Sequence, residues 1–286
     1  MGRRMNQGWR MRITHRTWFQ YDGKAATSYN EARMSPRSEG RQSVLDARVE
    51  IQPAAWLYKY EDYWGSVVTA FDLQEAHESL TVVASALVET MPSAPVTPDG
   101  PSWNDLENED RWHEYLLPTP RTALDEELTA LALEIKGAHD GPQAAALAAC
   151  ELVQSEVEYQ PGSTGVQTDA VHAWRQRSGV CQDISHLVVG LLRGMGTPAK
   201  YVSGYMHPHP DGPVGEDVAG QSHAWVEWWS GTGWTGYDPT NGAPIQPRHV
   251  AVGRGREYGD VPPLKGVYSG PPSANQGVEV RITRLR

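Results

Sequence analysis

The sequence predicts an α+β protein in two parts: an antiparallel β domain, then a core in which a helix carrying a cysteine lies against a second antiparallel sheet. Three observations carry this. The first ninety residues hold strand-like runs rich in Val, Thr, Trp and Tyr with no sustained helical period. Residues 91–121 then concentrate proline among small and acidic residues. From Thr122 apolar residues recur at three- and four-residue spacing before strand-like runs return. A length of 286 residues allows two domains at roughly 150 residues each.

In the β domain, Met11 to Tyr21, Val44 to Gln52, Ser66 to Leu73 and Leu80 to Val88 are separated by Gly, Pro, Asn or Asp and read as strands. Pro92, Pro95, Pro98, Pro101, Pro118 and Pro120 make the next stretch a linker or surface loop. Thr122 then offers a helix cap, Asp125, Glu126 and Glu127 suit the positive helix end, and Leu124, Leu128, Leu131 and Ile135 form one stripe. A second helix opens at Pro142 and runs to about Tyr159. A third follows Cys181, with Ile184, Leu187, Val188, Leu191 and Leu192 on one face until Gly194 stops it. Ala199 to Met206, His223 to Trp229 and Gly233 to Tyr237 read as strands, the last two joined by Ser230-Gly231-Thr232. Beyond Asp238 the chain is irregular until Gly277 to Leu285 alternates as a final strand. This divides the chain into residues 1–90 as a β-rich domain, 91–121 as a linker and 122–286 as the core with its tail.

Composition narrows the function. Hydrophobic residues at 39% and charged residues at 21% suit an ordinary folded chain. The charge, 25 − 35 = −10, argues against nucleic acid as a partner, although Arg3, Arg4, Arg10, Arg12 and Arg16 precede the first acid, Asp22. No apolar window approaches the roughly 18 residues of a membrane span. The basic start lacks the apolar segment of a signal peptide, which places the chain in the cytoplasm. Two cysteines, Cys150 and Cys181, are too few for a disulfide scaffold or a four-thiolate zinc site. Tryptophan and tyrosine number 11 and 12 against 2 phenylalanines, so most rings present a polar tip.

Three segments fit one piece of chemistry. Gly179-Val180-Cys181-Gln182-Asp183 opens a helix, Ser222-His223-Ala224-Trp225 opens a strand, and Tyr237-Asp238-Pro239-Thr240 closes the next. A thiol at a helix N-terminus sits by the positive end of the dipole, and a nearby imidazolium makes its thiolate accessible near neutral pH. Adjacent antiparallel strands bring His223 and Asp238 together, so that the carboxylate holds the imidazole in one tautomer facing the sulfur. The backbone N–H of Cys181 is placed to receive an oxyanion.

GVCQDISHL, GMGTPAKYVSGY, SHAWVEWW and GWTGYDPTNG, in this order, resemble the core of the bacterial transglutaminase-like superfamily, relatives of papain-like thiol enzymes. HRTWFQYDGKAATSYNEARMSPR is similar to the β-rich N-terminal region attached to many such proteins, and YGDVPPLKGVYSG resembles their shared tail. The resemblance implies a papain-like transglutaminase core preceded by an antiparallel β domain. It also implies Cys181, His223 and Asp238 as the catalytic triad. Two regions depart from the family pattern: the bulky approach Ala173-Trp174-Arg175-Gln176-Arg177-Ser178, and the polar Gly/Pro-rich insert from His207 to Gln221, read here as a mobile flap over the cleft.

Around the triad, Trp174, Gln182, Asp183, Trp225 and Asn241 are candidates for substrate contact or for hydrogen bonding to its members, with core packing the plainer role for Trp225 and helix capping for Asp183. Cys150 reads as a packed helix residue and His186 as a buried neighbour of the active helix. No metal site is expected, because His186 with Cys181 makes only two ligands, and His207, His209, Asp211, Glu216 and Asp217 read as a solvated loop. No organic cofactor is implied. The expectation is a thiol enzyme acting on a peptide or protein amide through an acyl-enzyme, by hydrolysis or by transfer to an amine. A non-catalytic binding or scaffold protein on the same fold is the alternative.

Overall fold

The computed structural model describes residues 8–106 and 110–286; Arg3 and Arg4 lie outside the described residues. The first part comprises β1 (Trp9–Ala25), β2 (Thr27–Ser35), β3 (Gln42–Gln52), β4 (Leu57–Glu61), β5 (Val67–Leu73) and β6 (His77–Thr90). In β1 the residues Trp9, Met11, Ile13, His15 and Thr17 are buried, with Arg12 and Arg16 facing solvent, so one face packs and the other is wet. Two of these strands escape the hydrophobic pattern. β2 carries Asn30, Glu31 and Arg33, and β4 has no buried residue; both are held by backbone pairing to β5.

The core follows as α1 (Glu126–Gly137), α2 (Pro142–Glu156), β7 (Glu158–Tyr159), α3 (Ala170–Gln176), β8 (Ser178–Gly179) and α4 (Cys181–Gly194). After these come β9 (Ala199–Met206), β10 (Asp217–Ala219), β11 (Gln221–Trp229), β12 (Trp234–Asp238), β13 (Ala243–Pro244) and β14 (His249–Gly255). The chain closes with β15 (Leu264–Ser269) and β16 (Ser273–Arg284). The cap of α1 is Asp125, which accepts from the Leu128 N–H at 3.0 Å, rather than Thr122, which is buried and accepts from Arg193. At seven residues, α3 is too short to show a period.

The core sheet runs β13-β12-β11-β9-β14, all antiparallel. α4 lies at its centre: Leu187, Val188, Leu191 and Leu192 are fully buried among α1, α2 and the Val226 and Trp228 side chains of β11. Gly204 on β9 permits close layering, since a Cβ there would stand 2.5 Å from the Trp225 ring.

The two ends of the chain share sheets. One sheet runs β10-β16-β1-β6-β3 and another β15-β2-β5-β4. The tail that sequence division leaves with the core therefore supplies strands to the N-terminal sheets, with Ile13 opposite Ile282 and His15 opposite Val280. The insert from His207 to Gln221 is likewise stitched to that sheet, not free as a flap. β10 pairs with β16, Asp217 binds Arg281 at 2.6 Å, and buried His207 meets the Trp9 ring edge-on at 5.4 Å. Its polar residues find partners on the neighbouring strand β16, which a reading of local composition misses. Among the described residues no helix is long and apolar enough to cross a membrane.

Candidate active site

The short parallel pair β7–β8, with Tyr159 opposite Gly179, delivers the chain into α4. There the Asp183 carboxylate, three residues into the helix, accepts the Val180 N–H at 2.9 Å and the Thr164 hydroxyl. Burial raises the Asp183 pKa, with these hydrogen bonds opposing it. This fixes Cys181 as the first residue of α4, half-buried and packed with Tyr201, Ala224, Tyr258 and Val261. Asp183 and Ile184 donate their N–H groups to the Val180 carbonyl, which leaves the first-turn N–H groups of Cys181 and Gln182 beside the sulfur.

His223 comes from β11 and Asp238 from the end of β12. His223 Nε2 donates to Asp238 Oδ2 at 2.8 Å, and both side chains are buried. Cys181 is close enough to this imidazole to act on it electrostatically. Burial opposes charge on the His223 ring, but Asp238 and Cys181 outweigh it and hold the pKa up at about 10. The three residues are thus brought together in the order expected from sequence.

Asp238 accepts five hydrogen bonds in all. Besides His223, Oδ2 accepts from Asn241 Nδ2 at 2.6 Å and His249 Nε2 at 3.1 Å. Oδ1 accepts the backbone N–H groups of Thr240 at 3.1 Å and Asn241 at 3.2 Å. Burial raises the carboxyl pKa, yet these donors hold it well below the usual carboxylate range. Asn241 therefore acts on Asp238 directly. Trp225 is buried beneath both imidazoles, tilted to His223 at 6.2 Å and edge-on to His249 at 5.4 Å.

The remaining candidates are placed otherwise. Trp174 packs into the helical core, donates to Glu127 at 2.9 Å and lies under Arg177, 3.7 Å from its ring. Gln182 reaches the Val166 carbonyl at 3.4 Å. His186 is buried face-on to Tyr201 at 4.8 Å and accepts the Tyr258 N–H, and burial lowers its pKa to about 3. Cys150 is buried in α2, where burial pushes its thiol pKa far up.

His249 was not a candidate from sequence. It lies after a Pro-rich turn in an irregular-looking segment, and only the short apolar run Val250, Ala251 and Val252 hints at β14. Its Nε2, His223 Nε2 and an Asp238 oxygen lie within 4.8 Å of one another, a spacing that divalent metal ligands share, but each nitrogen already faces the carboxylate at hydrogen-bond distance.

With this geometry in hand, comparison with known proteins identifies the lineage. Residues 11–89 match the bacterial transglutaminase-like N-terminal region and residues 129–239 match the transglutaminase-like superfamily core. Uncharacterized protein ML0607 of Mycobacterium leprae (strain TN) is 46% identical over 97% of this chain and 99% of its own length. A protein-glutamine gamma-glutamyltransferase of Pseudomonas aeruginosa is 32% identical over 46% of this chain but 20% of that protein. A crystal structure of a proposed cysteine protease from Cytophaga hutchinsonii shares the fold, with a TM-score of 0.77 at 22% identity, covering 98% of this chain and 92% of that one. The chain belongs to the transglutaminase-like superfamily, with the bacterial N-terminal region ahead of its core.

Proposed function

We propose that the protein is a thiol enzyme that cleaves carboxamide or peptide bonds through an acyl-enzyme on Cys181. The observation that carries this is the single line of contacts from Cys181, at a helix N-terminus, through His223 to an Asp238 carboxylate that already accepts hydrogen bonds on both oxygens.

The Cys181 thiolate attacks the substrate carbonyl carbon, a C–S bond forms, and the carbonyl electron pair moves onto oxygen beside the first-turn N–H groups of α4. Collapse breaks the C–N bond while His223 passes its proton to the departing nitrogen. The thioester is then released when His223 accepts a proton from the incoming nucleophile, whose oxygen or nitrogen bonds to the acyl carbon. Water gives hydrolysis and an amine gives transfer. The protease and glutamyltransferase among the relatives represent these two exits of one intermediate.

The test is incubation with a library of glutamine- and asparagine-containing peptides, reading released ammonia and new amine termini. Turnover that disappears in Cys181→Ala supports the proposal; turnover that survives it overturns the thiol mechanism.

A further inference from the structure

Asp238 serves two histidines. His223 points toward Cys181, while His249 approaches from the edge strand β14 and has no contact with the sulfur among the interactions described above. Its protonation form follows from its surroundings. Nε2 faces the Asp238 carboxylate, which can only accept, so this nitrogen carries a proton and donates it to Oδ2, while Nδ1 lies 3.2 Å from the Gln246 backbone nitrogen and 3.3 Å from its carbonyl oxygen. The charged groups facing the ring are Asp238 from β12, His223 from β11 and Arg248 just ahead of β14; burial, the largest influence, lowers the ring's pKa, with Asp238 opposing it.

The strand carrying His249 is held from outside the core. β14 pairs with β9 on one edge only. On its free edge the side-chain amide of Gln42, from β3, takes the place of a strand neighbour: Nε2 donates to the Ala251 carbonyl at 2.8 Å and Oε1 accepts the Ala251 N–H at 2.9 Å. Ala251 is two residues from His249, next to the irregularity between Ala251 and Gly253. The Thr90 and Ser93 hydroxyls bind the Pro247 and Ile245 carbonyls in the turn before it. Glu39 pairs with Arg254 at its far end.

We propose that His249 is a positioning residue for the Cys181–His223–Asp238 array, and that the N-terminal β domain sets its place through Gln42. This rests on the reading of Cys181 as the nucleophile. His249 and Asn241 flank the one carboxylate oxygen that His223 needs, so the oxygen cannot swing away from the imidazole. The N-terminal domain thereby acts on the chemistry without touching the substrate. Residues that orient a directly acting group in this way typically carry about 10–100-fold of activity.

The experiment measures the second-order rate of iodoacetamide alkylation at Cys181, mapped by mass spectrometry, from pH 5 to 10 in the full chain. His249→Phe keeps a planar ring without the donor; it should lower the rate at pH 7 by roughly 10–100-fold and move the pH midpoint of thiolate reactivity up by about 1–2 units. His249→Gln, whose amide can still donate, should recover most of the rate. Gln42→Met, which leaves every group on Asp238 in place, should shift the midpoint in the same direction by less, and it keeps the test open if His249→Phe does not fold. A folded His249→Phe with the wild-type rate and midpoint overturns the positioning role, as does a folded His249→Gln no better than the phenylalanine variant. Wild-type behaviour of Gln42→Met overturns the role of the N-terminal domain. An unreactive Cys181 in the wild type would instead sink the thiol reading itself.

Discussion

Replacing Asp238 with asparagine keeps the shape of the side chain and removes its charge, and the structure sets the cost. Oδ2 faces three donors, from His223, His249 and Asn241, and Oδ1 faces two backbone N–H groups. Asparagine supplies one oxygen and one NH₂ group. With its oxygen in the Oδ2 position the NH₂ confronts both backbone donors; reversed, it confronts all three side-chain donors. At least two donors lose their acceptor; the backbone pair is only partly buried, so the loss is at most roughly 2–6 kcal/mol, at up to about 1–3 kcal/mol each. At about 2–4 °C per kcal/mol for a chain of this size, the melting midpoint should fall by at most roughly 4–24 °C. Turnover should drop further than stability suggests, on the order of 10²–10⁴-fold, because His223 loses the partner that fixes its tautomer. It should remain measurable, since Asp238 makes no bond to substrate. The assay is calorimetry alongside amide turnover at pH 7. A variant within twofold of wild type in rate and melting at the same temperature would refute the claim that a donor-saturated carboxylate orients the imidazole.

Iodoacetamide near neutral pH should label Cys181 and leave Cys150 unmodified, because Cys150 is buried in α2; mass spectrometry showing preferential Cys150 labelling would contradict the assignment. His223 should make stability pH-dependent. Its folded pKa, about 10, exceeds the ordinary 6.5, so its contribution is complete below pH 6.5 and is lost as pH rises toward 10. Asp238, with its pKa lowered, works in the opposite sense: its contribution is present above the ordinary 3.8 and is lost as pH falls below it. The melting advantage of wild type over His223→Gln should narrow between pH 6.5 and 10, and a constant difference would show that the imidazole is not held charged. Ile282→Ala, in the last strand, should cost about 2–5 kcal/mol, because Ile282 is buried beside Ile13 in the N-terminal sheet. Denaturation showing under about 0.5 kcal/mol of change would mean that the tail contributes nothing to that core.

What was legible in the sequence is what local periodicity and short-range motifs encode. The α4 stripe from Ile184 to Leu192, the cysteine at its start and the strand pair carrying His223 and Asp238 each announce themselves within a few residues, and the order of motifs carried the family and the α+β fold. The illegible parts depend on partners distant in the chain. β4 and β15 have exposed or half-buried residues only and exist because β5 and β2 lie beside them. The final alternating segment reads as a strand, but nothing local says that it pairs with residues 11–21. His249 follows Asp238 by 249 − 238 = 11 residues across an irregular turn, so only the folded chain reveals that both imidazoles share one carboxylate. The His207 insert shows the opposite failure, where glycine and proline suggest mobility and the other sheet supplies the order.

The central claim is that Cys181 carries the acyl group. The measurement that tests it most directly is rapid acid quenching of the protein with a glutamine-peptide library, followed by intact-mass analysis and peptide mapping. The account predicts a transient adduct on Cys181, equal to the peptide mass less that of ammonia or of the departing amine, that is absent in Cys181→Ala. Turnover of the same peptides with no adduct at any time point, or with the acyl group on another residue, would contradict it.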